Sequence, residues 1–117
     1  MGQYFYIMNL DKKEYLHPHK IGCGLKLWEI CANDAISCLP FLLRQSNEGG
    51  GGDYNMADET SYCGRWAGDR IAVIGDYDAS KLYQEAYEGN GWKEISVELA
   101  KEYNPWIELE EKKIGEW

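Results

Sequence analysis

Residues 3–10 (QYFYIMNL) constrain the fold more than any other stretch. They are β-branched and aromatic, so they read as a strand. Both faces are apolar, with Tyr4, Tyr6, Met8 and Leu10 on one and Phe5 and Ile7 on the other. Such a strand cannot lie at a solvated surface and must sit inside a sheet covered on both sides. At 117 residues, with 44% hydrophobic and 27% charged side chains, the chain is long enough for one domain with its own core. Its apolar runs fall short of the ~18 residues a membrane-crossing helix needs.

The pattern around this strand points to an α+β fold. We expect a single compact domain, with a small antiparallel or mixed sheet packed against about four helices. Residues 11–13 read as a turn and 14–16 as a short return strand. Residues 25–32 (LKLWEICA) place apolar side chains at 25, 28, 31 and 32, a helical stripe that would bury Trp28 and Cys31. Asp34 can cap a second helix. Pro40 then either kinks that helix or stands in the first turn of a new one. Residues 46–63 form a long loop with four glycines at 49–52, expected to be flexible. Residues 71–74 read as a buried strand, 81–88 as a helix capped by Ser80, and 96–103 as a helix stopped by Asn104-Pro105. In the acidic tail from 106, Ile107 and Leu109 alternate like an edge strand.

The net charge is −8, and all of it comes from residues 53–117. Such a field repels nucleic acid and anionic membranes, so neither is an expected partner. It fits a basic protein partner, or serves solubility alone. The opening stretch lacks a basic region ahead of an apolar one, and none of the four cysteines forms a Cys-x-x-Cys pair. The expectation is a cytoplasmic protein with reduced thiols, Cys31 and Cys38 being helix core residues.

Three segments could carry chemistry. The first holds His17, His19 and Lys20 just before Gly22-Cys-Gly24. Two imidazoles and an ammonium there would suit an anion or phosphate cradle, strengthened by Lys26, with a histidine able to shuttle a proton. The alternative is a structural turn. His17, His19 and Cys23, with Cys63 or an acid as a fourth ligand, have a spacing unlike the recognised zinc patterns, and neither a metal nor another cofactor is expected. The second segment is 64–70, GRWAGDR. Arg65 or Arg70 could hold a phosphate or carboxylate, Trp66 could stack on a base, and Asp69 could orient a histidine. The alternative is an ion-pair network pinning the loop to the sheet. The third is Asp76 and Asp78 at a strand end, read first as turn and cap residues.

The opening MGQYFYIMNLDKKEYLHPHKIGCGLKLWE and the later GRWAGDRIAVIGDYD together resemble a widespread set of short bacterial and phage-associated proteins. Those begin Met-Gly-Gln-Tyr, carry Asn-Leu-Asp-Lys, a Pro-His-Lys before Gly-Leu-Lys-Leu, and Trp-Ala-Gly-Asp-Arg. The resemblance covers residues 1–31 and 64–78 and implies that the two blocks belong together. It imports no catalytic residue. If Lys12, His17, His19, Lys20, Arg65, Asp69 and Arg70 converged, a polar pocket would form from two loops. The reading is a small-molecule binding protein for an anionic, phosphorylated or nucleotide-like ligand. A phage protein that sequesters a host nucleotide signal would be one instance. A hydrolase or phosphodiesterase pairing His17 or His19 with Asp69 is one alternative, and an acidic inhibitor docking a basic surface is another. A homo-oligomer is compatible with each.

Overall fold

The computed structural model describes residues 2–46 and 61–106. The glycine run and the expected strand at 107–109 lie outside them. The doubly apolar segment forms β1 (Phe5–Asn9), an inner strand of a four-stranded mixed sheet. β2 (Glu14–Leu16) and β3 (Ile71–Gly75) flank it, both antiparallel, and β4 (Lys93–Glu94) runs parallel to β2 at the far edge. The order is β3-β1-β2-β4, and the fold is α+β. The two-residue strand β4 carries no sequence signal of its own. It forms because Lys93 N–H donates to the Lys13 carbonyl and Ile95 N–H to the Tyr15 carbonyl.

Asn9 shapes the β1–β2 turn. Its fully buried side chain accepts the N–H groups of Asp11 and Lys12, each at 2.9 Å, while Lys13 takes the left-handed conformation at φ 56°. This side-chain turn replaces backbone bonds that the reversing chain leaves open.

Alternation along the strands splits the core in two. On one face, Ile7 and Leu16 pack with Ile21, Phe41, Leu42, Trp66, Ile95 and Leu99. On the other, Tyr6 and Met8 pack with Ile74, Ala86 and Trp92. The first face is covered by α2 (Cys38–Leu43), α4 (Ser96–Trp106) and the loop 61–70. The second is covered by α3 (Leu82–Tyr87).

Five expectations need correction. The strand at 71–74, expected to be buried, is the sheet edge β3, with Val73 45% exposed because no further strand covers it among the described residues. The helix α1 (Leu27–Ala32) starts two residues later than its apolar spacing suggests, because the Glu29 carboxylate reaches back to accept the Lys26 N–H at 3.1 Å and fixes the first turn there. That phase buries Ile30 and leaves Trp28 69% exposed, with Cys31 also exposed, so neither is a core residue. Cys38 is buried as expected, and burial pushes its thiol up to about 12. Asp34 opens a 3-10 turn (Asp34–Ser37) and so does not cap α2, whereas Pro40 stands in the first turn of that helix, the second of the two expected placements, where a missing N–H costs nothing. Lys81, not Ser80, holds the cap position of α3, at φ 62°, although Ser80 Oγ still accepts the Leu82 N–H at 3.3 Å. Finally, α4 continues through Asn104 and Pro105 to Trp106. A proline this close to the end removes one ladder bond, not the whole turn.

Candidate functional site

The loop 61–70 is tied down along its length. Gly64 N–H donates to the Phe41 carbonyl (2.8 Å) and Trp66 N–H to the Leu42 carbonyl (2.9 Å). Gly64 sits at φ 76°, and a Cβ there would meet the Arg44 carbonyl oxygen at 2.8 Å, so the close approach requires glycine. The Tyr62 N–H and the Ser61 hydroxyl both reach the Glu102 carboxylate on α4.

This anchoring delivers Arg65, Trp66, Asp69 and Arg70 to the β1–β2 hairpin, one after another. The Arg65 guanidinium grips Glu14 with Nε at 3.0 and 3.1 Å and Nη2 at 2.5 Å, and Trp66 Nε1 donates to the same carboxylate at 2.9 Å. Glu14 is 4% exposed and Trp66 is fully buried. Burial alone would raise the Glu14 carboxyl, but the hydrogen bonds from Arg65 and Trp66 outweigh it and hold the group below its ordinary value. Asp69 accepts from Asn9 Nδ2 at 2.9 Å and pairs with Lys12 at 2.5 Å. The Arg70 side chain forks onto Asp11 with Nε at 2.9 Å and Nη2 at 2.8 Å, and its N–H reaches the same carboxylate. The junction of residues 64–70 with the hairpin is a latch between loop and hairpin. Trp66 has no face left for a base, and the Arg65 fork is spent on Glu14.

The histidines lie elsewhere. His17 follows β2 on the face of Tyr6 and Tyr15, opposite Glu14 and Trp66. A run of rings leads outward from the core. Tyr83 stacks on Tyr6 at 4.0 Å between centroids, Tyr6 meets His17 at 5.1 Å, and His17 meets the exposed His19 at 5.8 Å. Tyr15 flanks Tyr6 at 4.9 Å. The backbone at His17 is fixed by its N–H on Ser96 Oγ at 2.8 Å, and Lys20 Nζ pairs with Glu94 at 2.7 Å. Burial pushes the His17 imidazole below its ordinary pKa, which keeps it neutral near pH 7. Burial and the Tyr83 hydroxyl likewise raise the Tyr6 phenol and keep it protonated.

Two buried side-chain atoms on this side of the sheet are unpaired, Gln84 Oε1 on α3 and His17 Nδ1, and the second lies among the rings. His17 Nδ1 is buried and finds no hydrogen-bond partner among the described residues. A buried polar atom left unpaired costs about 1–3 kcal/mol, so few persist without a role. Neutral imidazole there offers one donor and one acceptor, beside a phenol, an exposed second imidazole and a lysine.

His17, His19 and Lys20 are therefore brought together, and Arg65, Trp66, Asp69 and Arg70 form a separate group. The hairpin turn that holds Asp69 lies at the opposite end of β2 from the histidines, so the pairing of Asp69 with either imidazole does not form. Cys23 is buried in the other half of the core, away from the histidines, and among the described residues no group of three histidine, cysteine or acidic side chains could hold a metal ion. Asp76 and Asp78 act as turn residues, Asp76 Oδ1 accepting the Tyr4 N–H and Asp78 Oδ2 the Ser80 N–H, both at 3.0 Å. Sequence reading missed Tyr6, Tyr15, Tyr83 and Glu94 as neighbours of the histidines. The period-two alternation that puts Tyr15 and His17 on one face carried that signal. A separate shallow groove of about 210 Å³ opens beside α1, lined by Gly24, Trp28, Glu29, Ala32 and Asn33. Among the described residues no helix is long and apolar enough to cross a membrane.

No family model, curated protein or solved structure matches this chain.

Proposed function

We propose that the protein binds a small molecule at the ring cluster formed by Tyr6, Tyr15, His17 and His19, with Lys20 at its rim. The ligand class is a planar ring carrying an anionic group, as in a nucleotide or another phosphorylated metabolite. The observation that carries this reading is the unpaired Nδ1 of His17, set between an inner phenol and an outer imidazole. A ligand donor or acceptor would satisfy it, the exposed His19 ring offers a stacking surface, and Lys20 can turn from Glu94 toward a phosphate. Arg65, Asp69 and Arg70 are left out of this site because each already closes the latch on the other side.

A thermal-shift screen of nucleotides and sugar phosphates tests the reading. A true ligand near a hundredfold excess over its Kd should raise the midpoint by roughly 5 °C or more. His17→Ala and Lys20→Ala should each remove most of that rise, and Arg70→Ala should leave it in place. A screen without a shift, or a shift lost only with Arg70→Ala, refutes the proposal.

A further inference from the structure

The sheet ends on one side at β3, and among the described residues nothing pairs with its outer edge. The residues there are Ile71-Ala-Val-Ile-Gly75, without a proline, a lysine or any other charge within the strand. Edge strands are normally blunted by such residues, since an open row of N–H and C=O groups is a template for another strand.

The hydrogen-bond phase shows which groups are open. Leu10 N–H donates to the Arg70 carbonyl and Asp76 N–H to the Tyr4 carbonyl, so the even-numbered residues of β3 bond to β1. Ile71, Val73 and Gly75 therefore turn their backbone groups outward, the Gly75 carbonyl already accepting the Asp78 N–H at 3.1 Å and keeping its second lone pair for a partner. Val73, at the centre, is 45% exposed although it is apolar and β-branched.

We infer that this edge pairs with β3 of a second copy of the chain, antiparallel and centred on Val73. The sequence is self-complementary in that register. Val73 would face the partner's Val73, and Ile71 the partner's Gly75, with outward groups meeting outward groups. One step further out, Arg70 would stand opposite the partner's Asp76, and by symmetry the same pair forms again at the other end. Arg70 is 76% exposed in its side chain; its Nε and Nη2 stay on Asp11, which leaves Nη1 for the half-buried Asp76 of the partner, whose Oδ1 holds the Tyr4 N–H. The product is one continuous sheet of eight strands, within the common size range.

Sedimentation or light scattering from about 10 µM to about 1 mM tests this. The expected result is a mass rising from 13.5 kDa toward twice that value. Val73→Pro removes only an outward N–H, so it should hold the protein at the lower mass with an unchanged circular dichroism spectrum. Should that variant misfold, Val73→Lys serves the same purpose by placing a charge at the centre of the edge. Amide exchange at Val73 should slow with concentration in the wild type. A single mass across the range overturns the inference, and so does a dimer that persists in a folded Val73→Lys variant.

Discussion

The two faces of the sheet handle polar groups in opposite ways. On one, Glu14 is buried and every interaction is closed: Arg65 grips it with a fork and Trp66 adds a third donor. On the other, His17 is half-buried with one nitrogen open, beside rings that step out to solvent. A charge-bearing group buried with its partners is a fastening, because removing a partner leaves the charge stranded. A buried atom without a partner instead costs the fold about 1–3 kcal/mol, which a new partner would return. Chemical variety alone would have ranked the faces the other way, since arginine, tryptophan and aspartate crowd the closed one.

The largest test of this contrast is Trp66→Ala. It empties a fully buried site and removes one of the donors to Glu14, so denaturant melts should show a loss of about 3–5 kcal/mol. For a domain of this size that approaches the whole stability. Arg65→Ala should cost roughly 2–3 kcal/mol, less than a fully buried pair because water reaches the arginine. Asn9→Ala comes next at about 1–2 kcal/mol, since two turn N–H groups lose their acceptor. If these three changes prove harmless, the latch is not a fastening and the contrast collapses.

Acid separates the faces by sign. The Glu14 carboxyl titrates below its ordinary value of 4.5 in the folded state, so its stabilisation is complete above that pH and is lost as pH falls through the lower folded value. His17 acts in a different window. Its folded pKa lies below the ordinary 6.5, so the unfolded chain takes up the proton first. Stability should decline as pH falls from 6.5 toward the folded value and then level off. Melts of His17→Gln across that window should lose the decline and keep the acid transition of Glu14. At the small end, Lys20→Ala should change stability by at most ~1 kcal/mol, as expected for an exposed pair.

Much of the architecture was legible because local signals and tertiary needs agreed. The doubly apolar run 3–10 could only be an inner strand, and β1 is one. Residues 14–16 had nowhere to go but back along it. The helix around 27–32 shows where such reading fails. Its spacing matched a buried stripe at 25, 28, 31 and 32, but Ile30 is the residue that enters the core and Trp28 faces solvent. Hydrophobic spacing fixes a helix but not its phase against the sheet. The candidate site was legible in part for a related reason. His17, His19 and Lys20 are neighbours in sequence and remain so in space. Whether 64–70 joins them depends on which face of β2 it meets, and Glu14 decided that. A lone glutamate in a short strand shows nothing of its burial until the arginine and indole that hold it are placed.

Imidazole resonances of ¹⁵N-labelled protein, followed through a nucleotide titration with the Trp66 indole N–H in the same spectra, show which face of the sheet takes the ligand. The His17 nitrogens should move in proportion to occupancy while the Trp66 signal stays still. Movement at Trp66 with His17 unchanged, or no movement at either, would contradict binding at the ring cluster.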